Sequence, residues 1–490
     1  MSTPAGITAP PAAAPVPDAT RAGSRALFAV CAATLLVLMN YTAPVAVLPQ
    51  TARSLGAGLT TQTWLINAIT LGLAATLLVA GSLGDDFGRR RIFRAGLALL
   101  AASTVGAAVA PDAGTFVAAR VLQGVASAGI LAAGLGLLGH VFHTNHGRSH
   151  ATARWASMLG AGVALGPLAS AALTALGSWR WFYLVLAALA AVLAALGGRL
   201  LAESRAERTA RIDVPGVLTL GAGLALLLVA VTAGRTGWLR PAVLIPLVLG
   251  ALLLAAFVAI EARGRAPMLD LALFRRPDFR IATLGAFFTG LAALGPSTVL
   301  PTLVQQLIGV SALGAAGLAF LWAGASFVVS NQMRHLGTRF APTRQLALGF
   351  ALTAAGYLAM LGYADAHSWV RTIPGLLISG AGSGLLNAAL ARLAVASVPP
   401  HRVAMGSGAN NTARYVGSAL GVAASITVAS SLLPAGQTGG FTARGADAVL
   451  LLGTGAAVLG AAAALIRRRV TAPAPAADGH GHRADGASAV

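Results

Sequence analysis

The residues of this chain best placed to do chemistry lie in a short charged segment, residues 81–91, between two long apolar runs. Gly81 and Gly88 permit a sharp turn and a close approach of helices, because glycine has no Cβ. Asp85 puts a fixed negative charge at the end of an apolar run, and Arg89 and its two neighbours suit a surface of anionic lipid. An ordinary basic loop would explain the arginines but neither the glycines nor the aspartate. The pattern therefore indicates a charged element with its own function at a membrane face.

Histidines form a second group of residues that could do chemistry. They are His140, His143, His146 and His150. Their spacing could bring the rings to one helix face, where they would bind a metal or sense pH, although Gly147 interrupts that helix. A solvated basic loop is the simpler alternative, and we expect no metal. Since the apolar runs also contain no nucleophile-base pair and no metal-ligand set, the sequence predicts neither an enzyme nor a cofactor.

The composition places these groups in a membrane protein. Hydrophobic residues make up 57% of the chain, charged residues only 10%, and the mean hydropathy is +0.77, unlike a soluble domain. A helix that crosses a bilayer needs about 20 apolar residues. Such runs begin near Ala26, Gln62, Ile92, Thr115, Ala151, Trp181, Asp213, Pro241, Phe279, Ala312, Arg344, Val370, Ala404 and Gly445. We therefore predict an all-α membrane protein with about fourteen transmembrane helices.

The positive charge of the chain is unevenly distributed. All 34 basic residues are arginine, and with 14 acidic residues they give a formal net charge of +20. Six arginines fall in one set of alternate loops, three (Arg120, Arg392 and Arg414) lie within apolar runs, and the other 25 lie on the opposite side. Because positively charged loops stay in the cytoplasm, we predict a multi-pass protein of the cell membrane with both termini cytoplasmic. This bias accounts for the charge, and we expect no nucleic acid partner.

A weak internal repeat indicates that the chain is duplicated. Leu83–Gly88 has a degraded counterpart in Leu336–Ala341, and both lie between apolar runs on the predicted cytoplasmic side. Two six-helix bundles related by a parallel repeat would follow, with two inserted helices between them. The predicted units are residues 1–25 (disordered cytoplasmic tail), 26–201 (first bundle), 202–263 (linker and inserted helices), 264–469 (second bundle) and 470–490 (disordered cytoplasmic tail).

Several short patterns, in order along the chain, resemble one family. Residues 81–91 resemble the loop between helices 2 and 3 of major facilitator superfamily transporters. On helix 4, Ala118–Gly124 resembles the arginine motif of the fourteen-helix drug:proton antiporters, the multidrug efflux branch, with Arg120 as its arginine. On helix 13, the residues from Asn411 to Arg414 also resemble that branch. The resemblance implies a secondary active transporter that exports small organic molecules or drugs by alternating access.

The resemblance extends to helix 5. Gly162, Gly166 and Pro167 match the glycine-proline motif associated with antiporters, which lets a helix bend and a neighbour approach. Helix packing alone is a second explanation for the glycines. The chain departs from the motif at Ser170 and Ala171, where relatives usually carry two glycines. A transport-inactive sensor or scaffold of the same fold is the alternative function, and a sensor should bind ligand without moving it.

The chain departs most from the family in helix 1. Relatives carry an aspartate in a Leu-Asp-x-Thr pattern, whereas this chain has Asn40, followed two residues later by Thr42. Asn40 cannot titrate, and none of the 14 acidic residues lies in the middle of an apolar run. Proton coupling is therefore open, and coupling through the usual helix 1 site should be absent.

Asn40 also offers a partner to a buried charge. It lies about 14 residues, or roughly 21 Å, along helix 1, which could match the depth of Arg120. Its amide oxygen would then help to solvate the guanidinium, while Asp112 or water is the simpler alternative. An arginine without a carboxylate predicts a small organic substrate that is neutral or anionic rather than cationic. The candidate substrate or coupling residues are Asn40, Thr42, Arg120, Gln123, Asn411 and Arg414.

Overall fold

The computed structural model describes residues 17–142, 145–204, 213–234, 238–264, 271–336, 341–398, 403–432 and 440–465. These residues form α-helices with short connections, and they contain no β-strand. The prediction of an all-α protein is confirmed. Most of both predicted tails, and residues 337–340 of the second repeat copy, lie outside the described residues.

Helices from the first 200 residues pack mainly on one another. They are α1 (Pro17–Thr42), α2 (Pro44–Ser54), α3 (Leu59–Phe87), α4 (Arg89–Ala108), α5 (Ala113–Val141), α6 (Asn145–Ala175) and α7 (Arg180–Leu200). The centre of this first bundle is α5, which contacts α1, α3, α4 and α6. This position explains why α5 is buried along most of its length.

The remaining helices are two that follow the first bundle and a second packed group. They are α8 (Val214–Ala233), α9 (Pro241–Arg263), α10 (Pro277–Phe288), α11 (Gly295–Ile308), α12 (Ala312–Leu336), α13 (Pro342–Met360), α14 (Thr372–Ala396), α15 (Val403–Ser431) and α16 (Ala443–Leu465). A π-helical segment, Thr289–Leu294, joins α10 to α11 without interruption. We call α10 to α16 the second bundle.

Eleven continuous helical segments are long and apolar enough to cross a membrane in the described part of the chain. Three further helices, α3, α13 and α15, pack among them, so the number of fourteen crossings stays a prediction. Most predicted starts lie within three residues of a helix start. The exceptions are α1 and α6, which begin at Pro17 and Asn145 rather than near Ala26 and Ala151. Helical hydrogen bonding continues into polar sequence there, beyond the apolar run that marks the bilayer core.

The two bundles meet along a few helix pairs. The contacts are α3 with α15, α6 with α12, and α2 with α11 and α12. Helix α8 packs against both α3 and α15, so it lies beside the bundle interface, whereas α9 packs mainly on α8. Many large apolar side chains of α9 are exposed, including Ile245, Val248 and Leu252. A lipid bilayer would cover such a surface.

The charged segment 81–91 forms a single-residue turn. Helix α3 continues through Gly81 to Phe87, and only Gly88, with φ of 102°, separates it from α4. The prediction that Gly81 allows the turn is therefore wrong, because a glycine inside a helix costs only about 1 kcal/mol and the helical bonds continue. A Cβ at Gly88 would lie 2.7 Å from Oε1 of Glu203. The side chain of Asp85 lies outside the described ones.

The first apolar run consists of two helices. Helix α1 ends at Thr42, Ala43 follows, and α2 begins at Pro44. Because proline has no N–H, the carbonyl oxygen of Asn40, four residues earlier, loses its helical donor. A carbonyl group inside a membrane protein needs another donor. The break therefore leaves the carbonyl oxygen of Asn40 in need of a hydrogen-bond donor from another part of the protein.

Candidate functional site

Arg120 supplies the donor that the broken helix lacks. Its side chain is completely buried on α5, and its Nη1 donates to the carbonyl oxygen of Asn40 at 2.8 Å. Its Nη2 donates to the carbonyl oxygen of Tyr41 at 3.4 Å. The guanidinium thus replaces the hydrogen bond that Pro44 removes, and it joins α5 to the break between α1 and α2.

Two side-chain amides complete the surroundings of Arg120. Nη1 also donates to Oδ1 of Asn40 at 3.2 Å and to Oε1 of Gln123 at 3.0 Å. Nδ2 of Asn40 donates to Oε1 of Gln123 at 3.1 Å, and Nε2 of Gln123 donates to the carbonyl oxygen of Ser103 at 3.4 Å. The contact that the sequence predicted between Asn40 and Arg120 is present. Its role in transport stays a prediction.

Asp112, the alternative partner of Arg120, is engaged elsewhere. Its carboxylate lies at the start of α5, where it accepts hydrogen bonds from N and Oγ1 of Thr115 at 2.8 Å and 2.9 Å. The Thr115 backbone N–H lowers the pKa of this carboxyl, as expected for a helix N-cap. Among the described residues no carboxylate lies within ion-pair distance of Arg120. The buried charge is therefore solvated there by neutral oxygens.

A second arginine, in the second bundle, also donates to neutral amide oxygens. Arg414 lies half-buried on α15, and its Nη2 donates to Oδ1 of Asn411 at 2.9 Å. Its Nη1 donates to Oδ1 of Asn387, on α14, at 3.4 Å. Its Nε, like that of Arg120, has no hydrogen-bond partner within the part of the chain that the structure describes. Each bundle thus holds an arginine whose hydrogen-bond partners are neutral.

Two tyrosines lie between these arginines, at the bundle interface. The rings of Tyr41 on α1 and Tyr415 on α15 meet edge to face, with centroids 5.8 Å apart. The hydroxyl oxygens of Tyr41 and Ser418 are 3.2 Å apart, a hydrogen bond between the bundles. Cζ of Arg414 lies 5.4 Å from the Tyr415 ring centroid, within the range of a cation–π contact.

The glycine-proline motif of α6 lies against the break in helix 1. A Cβ at Gly162 would lie 2.5 Å from that of Leu38, and one at Gly166 would overlap Oγ1 of Thr42 and lie 2.6 Å from the carbonyl oxygen of Met39. The backbones can only come this close because both residues are glycine. Pro167 is buried inside α6. The motif therefore packs α6 closely onto α1, beside the break between α1 and α2.

Ser170, where the chain departs from the motif, also contacts the break. Its Oγ donates to the carbonyl oxygen of Ala43 at 2.7 Å. Thr42 is turned away from Arg120: its Oγ1 donates within α1, to the carbonyl oxygen of Leu38, at 3.0 Å. Of the six candidate residues, the structure brings together Asn40, Arg120 and Gln123 in one cluster, and Asn411 and Arg414 in another.

The turn at Gly88 is fixed by the segment that follows α7. Nη1 of Arg89 donates to the carbonyl oxygen of Gly136 on α5 at 3.0 Å. The backbone N–H of Arg90 donates to Oε1 of Glu203 at 3.0 Å, and its Nε lies 3.6 Å from Oε2 of the same residue. Glu203 therefore caps α4, whose own N-cap residue is a glycine. Arg89 thus connects α4 to α5 at this end of the first bundle.

The other polar groups are dispersed. Nδ2 of Asn67 donates to the carbonyl oxygen of Ala419 at 2.9 Å and so connects α3 to α15, whereas Asn331 is exposed. Nε2 of Gln305 donates to the carbonyl oxygen of Ala46 at 2.9 Å, beside a cleft of about 630 Å³ between the bundles.

The described histidines of this group belong to two different helices. His140 is exposed in the last turn of α5, while His146 and His150 belong to α6. Because α5 ends at Val141 and α6 begins at Asn145, His140 does not share a helix with His146 and His150, so the arrangement of all four on one helix face is wrong. No cluster of three metal-binding side chains occurs among the described residues, and those of His143, His146 and His150 lie outside them.

Several site residues were not predicted from the sequence. Tyr41, Tyr415, Ser170 and Glu203 acquire their positions only when helices from different parts of the chain meet. One signal was present: Pro44 lies inside the first apolar run, and a proline there predicts a break with a free carbonyl four residues earlier.

The chain matches the family model of the Major Facilitator Superfamily over residues 30–422. Puromycin resistance protein pur8 of Streptomyces alboniger is 33% identical over 414 residues, which cover 82% of this chain and 81% of that protein. The multidrug efflux pump LfrA of Mycolicibacterium smegmatis is 31% identical over 443 residues, 88% of each chain. These matches span nearly all of the helices described above.

The fold agrees with that of a solved transporter. The chain aligns with the crystal structure of a peptide transporter POT in complex with sulfate with a TM-score of 0.67 and 15% sequence identity. The alignment covers 90% of this chain and 93% of the transporter chain. At this identity the likeness shows the fold alone. On the family model, the relatives and the fold together, the chain belongs to the major facilitator superfamily.

Proposed function

We propose that this protein exports small organic molecules from the cell by alternating access, and that its substrates are neutral or anionic. The observation that carries the proposal is the pair Arg120 and Arg414, one in each bundle, each held by neutral oxygens. Two such positive charges, one inside each bundle, repel cations and attract anions. The substrate and the lipid bilayer are the partners of the protein.

The names of the relatives support the export of drug-like molecules. The relatives pur8 and LfrA are named for puromycin resistance and multidrug efflux. A transport-inactive sensor or scaffold is not favoured, since these relatives are resistance and efflux proteins. The family is one of transporters, which supports a function without catalysis.

Export of an anion needs no proton. When an anion leaves a cell whose interior is negative by 100 mV, its free energy falls by about 2.3 kcal/mol per charge. Asn40, at the position of the family aspartate, cannot release a proton, and its amide donates to Gln123. Membrane potential can therefore drive export without a proton.

This proposal is tested by flux of the purified protein in proteoliposomes. Efflux of fluorescein, an aromatic anion, should follow an imposed membrane potential and change less than about twofold with an imposed pH gradient. Asn40→Asp should make transport depend on the pH gradient, because it restores a titratable group at 3.2 Å from Arg120. Strong proton dependence in the unaltered protein, or good export of the cationic dye rhodamine 6G, would contradict the proposal.

We propose that the Gly88 turn faces the cytoplasm, as the arginine asymmetry predicts. Exposed Arg91 lies beside this turn, and exposed Arg53 lies at the end of α2, on the opposite side. In a Cys31→Ala background, a membrane-impermeant thiol reagent added to intact cells should label Arg53→Cys and leave Arg91→Cys unlabelled. The reverse pattern would show the opposite orientation.

A further inference from the structure

The two arginines differ in how far their donors are already used. Nη1 and Nη2 of Arg120 make four hydrogen bonds to protein oxygens, and the side chain is sealed from any cavity. Arg414 keeps partial exposure; it donates to Asn411 and Asn387, and its side chain also interacts with that of Tyr415. A guanidinium has five N–H donors in a plane. Both arginines keep unpaired donors within the described residues, including a buried Nε in each, but only Arg414 is partly exposed and can offer a donor to a ligand.

The face that carries Arg414 is directed at the first bundle. Asn411, Arg414 and Ser418 are three and four residues apart, so they lie on one side of α15. Ser418 contacts Tyr41 of α1 across the bundle interface. Arg414 is 11 residues from the start of α15, or about 16 Å along the helix axis. Arg414 therefore lies well inside α15, on the helix face that also contacts the first bundle through Ser418.

Aromatic surface adjoins this charge on the same side. The ring of Tyr415 lies beside the Arg414 guanidinium, and the ring of Tyr41 contacts that of Tyr415 from the other bundle. This aromatic pair belongs to two bodies that must move apart during alternating access. When the bundles separate, the planar ring of a substrate can take the place of one tyrosine and make a similar stacking or edge contact with the other.

We infer that Arg414 binds the acidic group of an aromatic carboxylate substrate, whose ring contacts Tyr41 and Tyr415. The inference rests on the proposed function and names the substrate class of that site. Asn411 and Asn387 keep the guanidinium solvated while the site is empty, without neutralising it. A carboxylate forms shorter and stronger bonds to a guanidinium than an amide does, so the substrate can displace these two oxygens. Arg120 then acts as a positioning residue for the broken helix and does not touch the substrate.

The test places a carboxylate beside Arg414 in advance. Asn411→Asp should lower the affinity of the full-length protein in lipid nanodiscs for fluorescein by about tenfold or more, because its own carboxylate occupies the guanidinium. Arg414→Gln should have a similar effect by removal of the charge. Asn331→Asp, which adds the same charge on the exposed face of α12, is the matched control and should bind fluorescein like the unaltered protein. Thermal unfolding of each variant shows whether it is folded, and Arg414→Gln carries the test if Asn411→Asp is not.

Each outcome decides the inference. Equal binding by Asn411→Asp, Arg414→Gln and the unaltered protein would overturn it. Loss of fluorescein binding in Asn40→Asp but not in Asn411→Asp would place the anion at Arg120 and would overturn it too, as would failure of the unaltered protein to bind fluorescein. Failure to move any dye through proteoliposomes overturns instead the proposed function. The expected result is weaker fluorescein binding by Asn411→Asp and Arg414→Gln, together with unaltered binding by Asn331→Asp.

Discussion

Replacement of Arg120 by alanine should abolish transport and destabilise the folded protein by about 3 kcal/mol or more, the combined cost of the buried oxygens that lose their donor. The reason is that Arg120 is the donor for four oxygen contacts in a completely buried place, among them the Asn40 carbonyl that Pro44 leaves without a helical bond. Each oxygen left without a donor there costs about 1–3 kcal/mol. Thermal unfolding in nanodiscs and dye flux in proteoliposomes measure the two effects.

The control for this change is Arg53→Ala. Arg53 is exposed, and its Nε donates to the carbonyl oxygen of Pro49 at 3.2 Å, one turn earlier in α2. Its loss should change stability by less than about 0.5 kcal/mol. Arg120→Lys should be nearly as harmful as Arg120→Ala, because a point charge cannot reach acceptors that are spread around a planar guanidinium. An Arg120→Ala protein with unaltered unfolding temperature and flux would show that the broken helix does not depend on this residue.

Gly166→Val should have the second largest effect, with transport at least tenfold lower and a marked loss of folded protein. Even the Cβ of an alanine would overlap Oγ1 of Thr42 and approach the backbone of Met39, and overpacking of a buried contact costs about 1–3 kcal/mol for small insertions. The helices α1 and α6 would have to separate at the break in helix 1. Fluorescence-detected size exclusion measures the folded fraction, and dye flux measures the activity.

Gly317 offers the matched comparison. It lies on α12, and a Cβ added to it would meet no atom of the described residues within 4 Å. Gly317→Ala should therefore leave transport unchanged and stabilise its helix slightly, since alanine favours a helix over glycine by about 0.5–1 kcal/mol. If Gly166→Ala and Gly166→Val behave like Gly317→Ala, the close packing of α6 on α1 is not required for function.

Apolar runs predicted most helices of this protein, because the thickness of the bilayer imposes a length that is visible in composition alone. Helix ends were less visible. Helix α1 begins at Pro17 and α3 passes through Gly81, since backbone hydrogen bonds continue where hydrophobicity ends. The break at Ala43 was missed because the apolar run continues across Pro44, although the missing N–H of proline predicts it.

The sequence allowed the polar residue pairs of the candidate site to be predicted, but not the contacts between the two bundles. The contact of Asn40 with Arg120 follows from depth along two helices, and the contact of Asn411 with Arg414 from their spacing on one. The pairing of Tyr41 with Tyr415 depends on how two bundles dock, and spacing along the chain carries no information about that. Tertiary packing alone places these rings together.

The hydrogen bond from Arg120 to a backbone carbonyl has a consequence for the history of the protein. A backbone oxygen is present whatever side chain stands at position 40, so the arginine keeps its shortest hydrogen bond when that side chain changes. An aspartate codon becomes an asparagine codon by a single base change. A lineage can therefore exchange aspartate for asparagine at position 40 without first rebuilding its core, and the reverse step is equally short.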